Sequence, residues 1–405
     1  MVNKSSRKTI SISISLLVIA VCAYSIWAVR QPVPKILPKR MTAVITSQAP
    51  QAELQWPAIG EAAIGYDTNG VAAKYGGTKP LPTASVAKLI TALAVLSRKP
   101  LSLNQQGPTI TLGPNDVALY NQYVAEQGSV VAVTSGEQIS EYQVLQAMLL
   151  PSANNMADSL AIWTFGSLPA YSGYANTFVK QLGLVNTHVG NDASGFDPST
   201  TSTASDLVKL GQLVIKNPVL AQITDQASAT GIPNTSTIKN VNFLLGSHNI
   251  IGLKTGNSNQ AGGVYLSASQ IIIANKPVLI VTALLGAPTL YDALANSLPL
   301  ITSAQTNFSS TSVVNANDVV GSYSIPWTGK TLDALATNSL QTEAIGGSVI
   351  KSMIHLQPIS IQSKVGSTVG SVQSGATEFT PAQQTAIRLS GVVPAPDLWW
   401  RLLHG

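Results

Sequence analysis

Residues 10–29, ISISISLLVIAVCAYSIWAV, form an unbroken run of twenty without a charge, and this constrains the chain most. In hydrocarbon every backbone N–H and C=O must be paired within the segment, so one apolar run can cross only as a helix. At about 1.5 Å per residue this run matches the roughly 30 Å core of a bilayer. We read 1–9 as a cytoplasmic N-terminus and 10–29 as an uncleaved transmembrane signal anchor. Val21-Cys22-Ala23 is a weak cleavage site, and the apolar run continues past it to Val29. Basic residues flank both ends, so the flanks alone do not orient it.

The net charge of +5 is concentrated at this end. Residues 1–40 carry seven basic side chains and no acidic one, and the remainder is net −2. A nucleic-acid partner is therefore not expected, because it would need a basic stripe in the folded part. The only cysteine, Cys22, lies in the apolar run, which excludes a disulfide framework and a thiol nucleophile. His188, His248, His355 and His404 are scattered without metal-ligand spacing, so neither metal nor cofactor is expected.

Pro32, Pro34, Pro38, Pro50 and Pro57 mark 30–58 as an extended stalk. Next, Ala62–Asp67 and Val71–Tyr75 flank Thr68-Asn69-Gly70 as a hairpin. Thr83–Leu96 and Ser140–Leu150 show helical spacing, and Pro151 stops the second. Residues 177–184 and 204–215 read as further helices around a polar loop, Asn191–Ser202. Ile250–Thr255, Gly263–Ile273 and Pro277–Leu285 read as strands, the last two joined through Asn275-Lys276. Strands, helices and strands again predict an α+β domain over 59–300, an antiparallel sheet with a helical subdomain inserted. Residues 301–316, rich in Ser, Thr and Asn, are expected to be a linker. Short runs at Gly321–Ile325, Ala344–Lys351, Met353–Leu356 and Gly366–Val372 predict a small β domain over 317–392. The tail, 393–405, holds Trp399 and Trp400, which suit either a lipid–water boundary or packing on the β domain.

Three fragments carry chemistry: Ser85-Val-Ala-Lys88, Ser152-Ala-Asn154 and Lys254-Thr255-Gly256. Singly, each has a plain structural explanation as a helix start, a loop or a strand end. In this order and context they form the signature of penicillin-binding serine enzymes. Lys88 lies one helical turn from Ser85, so the two side chains are neighbours. A serine hydroxyl needs such a base, and the amine serves only if burial or a nearby positive charge lowers its pKa; Lys254 is a candidate for that charge.

Around these fragments, Leu81-Pro-Thr-Ala-Ser85-Val-Ala-Lys88-Leu-Ile-Thr-Ala92 closely resembles the active-site helix of the low-molecular-weight D-alanyl-D-alanine carboxypeptidases. Gln181–Thr187, Asp192-Ala-Ser-Gly195, Ser202–Asp206 and Ile251–Gly256 resemble further landmarks of that family, so the resemblance covers about 59–300. It implies the penicillin-binding/β-lactamase-like transpeptidase fold, followed by an accessory β domain. It also implies trimming of D-Ala from peptidoglycan stem peptides outside the cell through an acyl-serine intermediate, with β-lactams as covalent inhibitors.

In the resemblance, Ser85 is the nucleophile, Lys88 the base, Ser152 a proton relay and Asn154 a holder of lysine and substrate amide. Lys254, Thr255, Gly256 and Asn257 bind substrate, with the backbone N–H groups of Ser85 and Asn257 as the oxyanion hole. The pattern departs from several relatives at one point. They hold the substrate carboxylate with an arginine, and here no arginine occurs between Arg98 and Arg388. A DD-endopeptidase, or a weakly active cell-wall sensor or scaffold, is therefore carried as the alternative. A class A β-lactamase is excluded, since no glutamate lies between Glu141 and Glu343.

Overall fold

The computed structural model describes residues 4–67, 70–377 and 379–404. They form two compact units, one of Ala52–Asn307 and one made of residues up to Gln51 together with those from Phe308. The expected hairpin turn at 68–70 is described only at Gly70.

In the Ala52–Asn307 unit an antiparallel sheet runs in the order Ile250–Ser258, Gly262–Ile273, Lys276–Ala287, Glu61–Tyr66, Ala73–Tyr75. The sheet is therefore closed by segments from both ends of the unit. The predicted Asn275-Lys276 hairpin is tight: Ala274 and Asn275 both have positive φ, 49° and 62°, as a two-residue turn requires. Alternate residues face opposite sides of a strand. Val281, Ala283 and Leu285 join the core beneath Ala204–Lys216, whereas Leu284 packs with Leu300 of the helix Leu290–Gln305. Helices thus cover both faces.

The helical subdomain holds Ala87–Arg98, Pro114–Ala125, Glu141–Leu149, Asn154–Phe165 and Leu168–Gln181. Local chemistry sets its boundaries. Ser140 caps Glu141–Leu149, accepting from Gln143 N at 3.2 Å while Gln143 Oε1 accepts from Ser140 N at 3.0 Å. The four expected helices and the three expected strands after residue 250 meet observed elements, with boundaries shifted. The helix at 177–184 begins earlier, at Leu168, behind the Ser167 cap.

The second unit carries a six-stranded antiparallel sheet, in the order Thr42–Gln48, Val349–Leu356, Thr368–Ser374, Gln384–Leu389, Thr331–Ala336, Val319–Ser324. A two-stranded pair, Phe308–Val314 with Leu340–Ile345, completes it. Three expectations are corrected here. Residues 30–58 are not a free stalk, because Thr42–Gln48 is a sheet strand paired with Val349–Leu356 in the register Thr42↔His355 to Gln48↔Val349. Its alternation makes a strand: Ala43, Ile45 and Ser47 are half-buried, while Thr42, Val44 and Thr46 face out. The 301–316 linker is instead the end of the helix Leu290–Gln305 and the strand Phe308–Val314. Ala344–Lys351 is not one strand but two, broken by a turn in which Gly347 has φ +83°.

The first helix spans Lys4–Arg30, and Ile12–Arg30 is long and apolar enough to cross a membrane, with mean hydropathy 2.3.

Candidate active site

Ser85 sits in a single tight turn, Ala84–Val86, that runs straight into the helix Ala87–Arg98. Ala84 has φ +43°, and Thr83 N donates to Thr200 O at 3.0 Å, so the turn is pinned where the nucleophile must stand. The helix buries Leu89, Ile90, Ala92 and Val95 in the core. This orientation also draws Lys88 inward, to 0 % exposure.

Three acceptors meet the buried amine. Lys88 Nζ donates to Ser85 Oγ at 2.7 Å, to Asn154 Oδ1 at 2.7 Å and to Ser194 O at 3.1 Å. Burial pulls its pKa down to about 7, against the opposing charges of Asp192 and Asp158. Desolvation favours the neutral amine. A lysine poised near neutrality, in contact with a serine hydroxyl, can take that hydroxyl's proton.

Asn154 opens the helix Asn154–Phe165 and anchors its own backbone by donating to Ser129 O at 2.7 Å. Ser152 precedes it in a left-handed conformation, φ +67°, and is 5 % exposed. Its Oγ has no hydrogen-bond partner among the described residues. A buried, unsatisfied hydroxyl held in a sparsely populated conformation is the kind of strain that clusters at working sites.

Ile250–Ser258 forms the edge of its sheet. Gly256 is required by close approach, since a Cβ there would lie 2.8 Å from Thr83 O and 3.3 Å from Ser85 N. Lys254 and Thr255 are buried, and Asn257 is exposed. Lys254 Nζ donates to Thr255 O at 3.0 Å, and burial, aided by the Lys88 charge, holds its pKa well below the ordinary lysine value. The structure therefore joins Ser85, Lys88 and Asn154 by direct hydrogen bonds and runs the Lys254–Asn257 segment alongside them. Ser152 enters through the same loop as Asn154.

Sequence reasoning assigned no role to the carboxylates beneath the lysine. Asp192 Oδ1 accepts from Ser194 N at 2.7 Å, Gly195 N at 2.6 Å and Ser194 Oγ at 3.0 Å, while its Oδ2 accepts from Asp197 N. This folds the loop so that Ser194 O meets Lys88. Gly195, at φ +73°, passes so near Ala84 O that a Cβ would stand 2.2 Å away. Asp158 accepts from Tyr123 OH at 2.6 Å and from Ala193 N at 2.8 Å. Burial pushes its pKa up to about 7, partly offset by the Tyr123 hydrogen bond. Asp158 lies four residues after Asn154, on the same helical face, and that spacing was the available signal.

Among the described residues no cluster of three or more His, Cys, Asp or Glu is placed to hold a metal. The unit's only guanidinium is that of Arg98, and Lys88 and Lys254 bring amines to the site.

Sequence comparison finds D-alanyl-D-alanine carboxypeptidase DacA of Escherichia coli K12, 28% identical over 247 residues, covering 59% of this chain and 58% of that protein. A D-alanyl-D-alanine endopeptidase of the same organism is 31% identical over 207 residues, covering 49% of this chain and 62% of its own length. The chain thus spans less than two thirds of the length of these relatives. Among solved structures, the Streptomyces K15 DD-transpeptidase superposes with a TM-score of 0.54 at 23% identity, covering 61% of this chain and 97% of that one. Penicillin binding protein 5 from Haemophilus influenzae gives 0.56 at 19% identity, covering 85% and 99%. At these identities the superpositions speak for the fold, a penicillin-binding-protein transpeptidase fold. The family model for D-alanyl-D-alanine carboxypeptidase matches residues 45–289, and the chain belongs to that family.

Proposed function

We propose that the chain is a serine-type D-Ala-D-Ala carboxypeptidase, removing the terminal D-Ala of peptidoglycan stem peptides through an acyl-Ser85 intermediate. One observation carries this: Ser85 Oγ and Asn154 Oδ1 each lie 2.7 Å from Lys88 Nζ, in an amine that burial brings to about 7. Neutral Lys88 takes the Ser85 proton as Oγ attacks the carbonyl carbon of the penultimate D-Ala. The peptide C–N bond breaks, and Ser152 passes a proton to the departing amine. Water then attacks the ester, frees Ser85 and releases the shortened peptide.

Substrate lies as an added strand along Ile250–Ser258. Asn154 holds its amide, Lys254 and Thr255 its carboxylate end, and the N–H groups of Ser85 and Asn257 its oxyanion. Loss of one oxyanion donor typically costs about 100- to 1,000-fold in rate. β-Lactams enter the same cleft and acylate Ser85. The apolar helix ending at Arg30 holds the enzyme in the cell membrane in a single pass, with the peptidase unit outside the cytoplasm.

A second reading, DD-endopeptidase, is favoured by a specific feature. A free carboxylate is best gripped by a planar guanidinium, and no arginine occurs between Arg98 and Arg388, which leaves the Lys254 ammonium for that task. An internal peptide bond needs no such grip. Product analysis with a defined pentapeptide and a crosslinked peptide dimer tests both. Release of D-Ala from the pentapeptide supports the carboxypeptidase, and cleavage of the dimer alone supports the endopeptidase. With neither product, the chain is a sensor or scaffold that keeps the fold.

A further inference from the structure

The last helix, Leu398–His404, is fastened to the exit end of the first. Tyr24 OH donates to Leu402 O at 2.8 Å, and Arg401 Nη1 donates to Val29 O at 2.6 Å. Trp400 turns inward, edge-on to Trp327 with centroids 5.2 Å apart, and His404 stacks on it at 4.8 Å. Leu398, Trp399 and Leu403 turn outward and are 59%, 74% and 75% exposed. Three large apolar side chains bared on one short helix call for a cover.

Between the two helices lies a cavity of about 290 Å³, lined by Trp27, Gln31, Trp400, Arg401 and His404, with Pro32–Pro34 as a strap. Its polar equipment is all donor-capable: a guanidinium, an imidazole and a carboxamide. The surrounding chain is cationic, with Arg30, Lys35, Lys39 and Arg40 and no acidic residue before Glu53. The local carboxylate, Asp397, is engaged by Trp400 N at 2.7 Å.

We infer that this cavity is a headgroup site for the phosphate of an anionic phospholipid, with Leu398, Trp399 and Leu403 inserted among the acyl chains beside it. The inference rests on the membrane-anchor reading. If residues 12–30 cross a bilayer, the Trp27–Arg30 turn marks the boundary between hydrocarbon and headgroups, where aromatic residues concentrate. The bond to Val29 then holds Arg401 at that boundary, and the bond from Tyr24 seats Leu402 more than a turn deeper, beside the acyl chains. The guanidinium fork suits phosphate oxygens, and the basic belt selects anionic over zwitterionic lipid.

The test uses the full chain reconstituted in phosphatidylcholine vesicles that carry either brominated phosphatidylglycerol or brominated phosphatidylcholine at equal content. Emission from Trp399 is taken as the difference between the chain and its Trp399→Phe variant. The inference predicts stronger quenching by the phosphatidylglycerol. The preference should fall about fivefold per lost cation in Arg401→Gln, with Ser85 acylation by penicillin unchanged. Since Arg401→Gln also loses the bond to Val29, His404→Gln is read beside it, and its preference must fall too. Equal quenching by both lipids, or none at Trp399 in an anchored chain, overturns the inference. A chain that alkaline carbonate strips from vesicles overturns the anchor reading itself, a distinct result because no quenching comparison is then possible.

Discussion

Lys88 makes the sharpest demand on solution behaviour. With its pKa at about 7, about 1% of the amine is neutral at pH 5 and about 90% at pH 8. If only the neutral amine activates Ser85, acylation by a reporter penicillin rises about 90-fold between those limits and levels off above pH 8. The sign follows from burial, which disfavours the charged form and leaves a base available at neutral pH. A lysine at its ordinary 10.5 would instead give a rate climbing about tenfold per pH unit up to about pH 9 and still rising at pH 10.

Asp158→Asn supplies the second arm. The Asp158 charge is one of those holding Lys88 up, so its removal moves the rising limb to lower pH. Because Asp158 itself sits near 7, the wild-type limb belongs to the coupled set, and the variant should show a simpler single step. Rapid-quench acylation rates from pH 4.5 to 10 measure both. A flat profile between pH 5 and 8, or a limb unmoved in Asp158→Asn, would refute the assignment of Lys88 as the base.

Other consequences are as specific. Ser152→Ala removes a buried hydroxyl without a partner, so urea unfolding should change by no more than about 1 kcal/mol, while turnover falls about 100-fold or more. Gly256→Ala drives a Cβ to 2.8 Å from the Thr83 carbonyl, which is main chain and cannot step aside. Displacing the Ser85 turn should cost about 100-fold in acylation rate, read with the same penicillin. Glu141 is fully buried with both oxygens unpartnered, and burial pushes its pKa up to about 7. The folded state thus holds its proton more tightly than the unfolded chain, and wild-type stability is lost as pH rises from 4.5 to 7. Glu141→Gln should gain over wild type across that window, by up to about 3 kcal/mol at pH 8 and nothing at pH 4.

The reactive core was legible because its logic is local. Ser85 and Lys88 are separated by one helical turn, and Pro151 marks the loop that delivers Ser152 and Asn154. Asp192 and Asp158 were harder to value, because they act through what they fold: one ties a loop so that Ser194 O meets Lys88, and the other braces Ala193 from a neighbouring helix. The accessory unit misled for a related reason. Phe308–Val314 directs Ser309, Thr311 and Val313 inward, so hydroxyls stand where a strand usually shows apolar residues, and its composition reads as a linker. Thr42–Gln48 pairs with a strand some three hundred positions away, a contact no local pattern announces.

The central claim is that Ser85 becomes covalently acylated by way of neutral Lys88. Mass spectrometry of the chain treated with a labelled penicillin tests it most directly. The account predicts one adduct per chain, on the peptide containing Ser85, absent in Ser85→Ala and in Lys88→Arg, whose guanidinium cannot give up its proton. An adduct on another residue, or full labelling of the Lys88→Arg chain at pH 7, would contradict it.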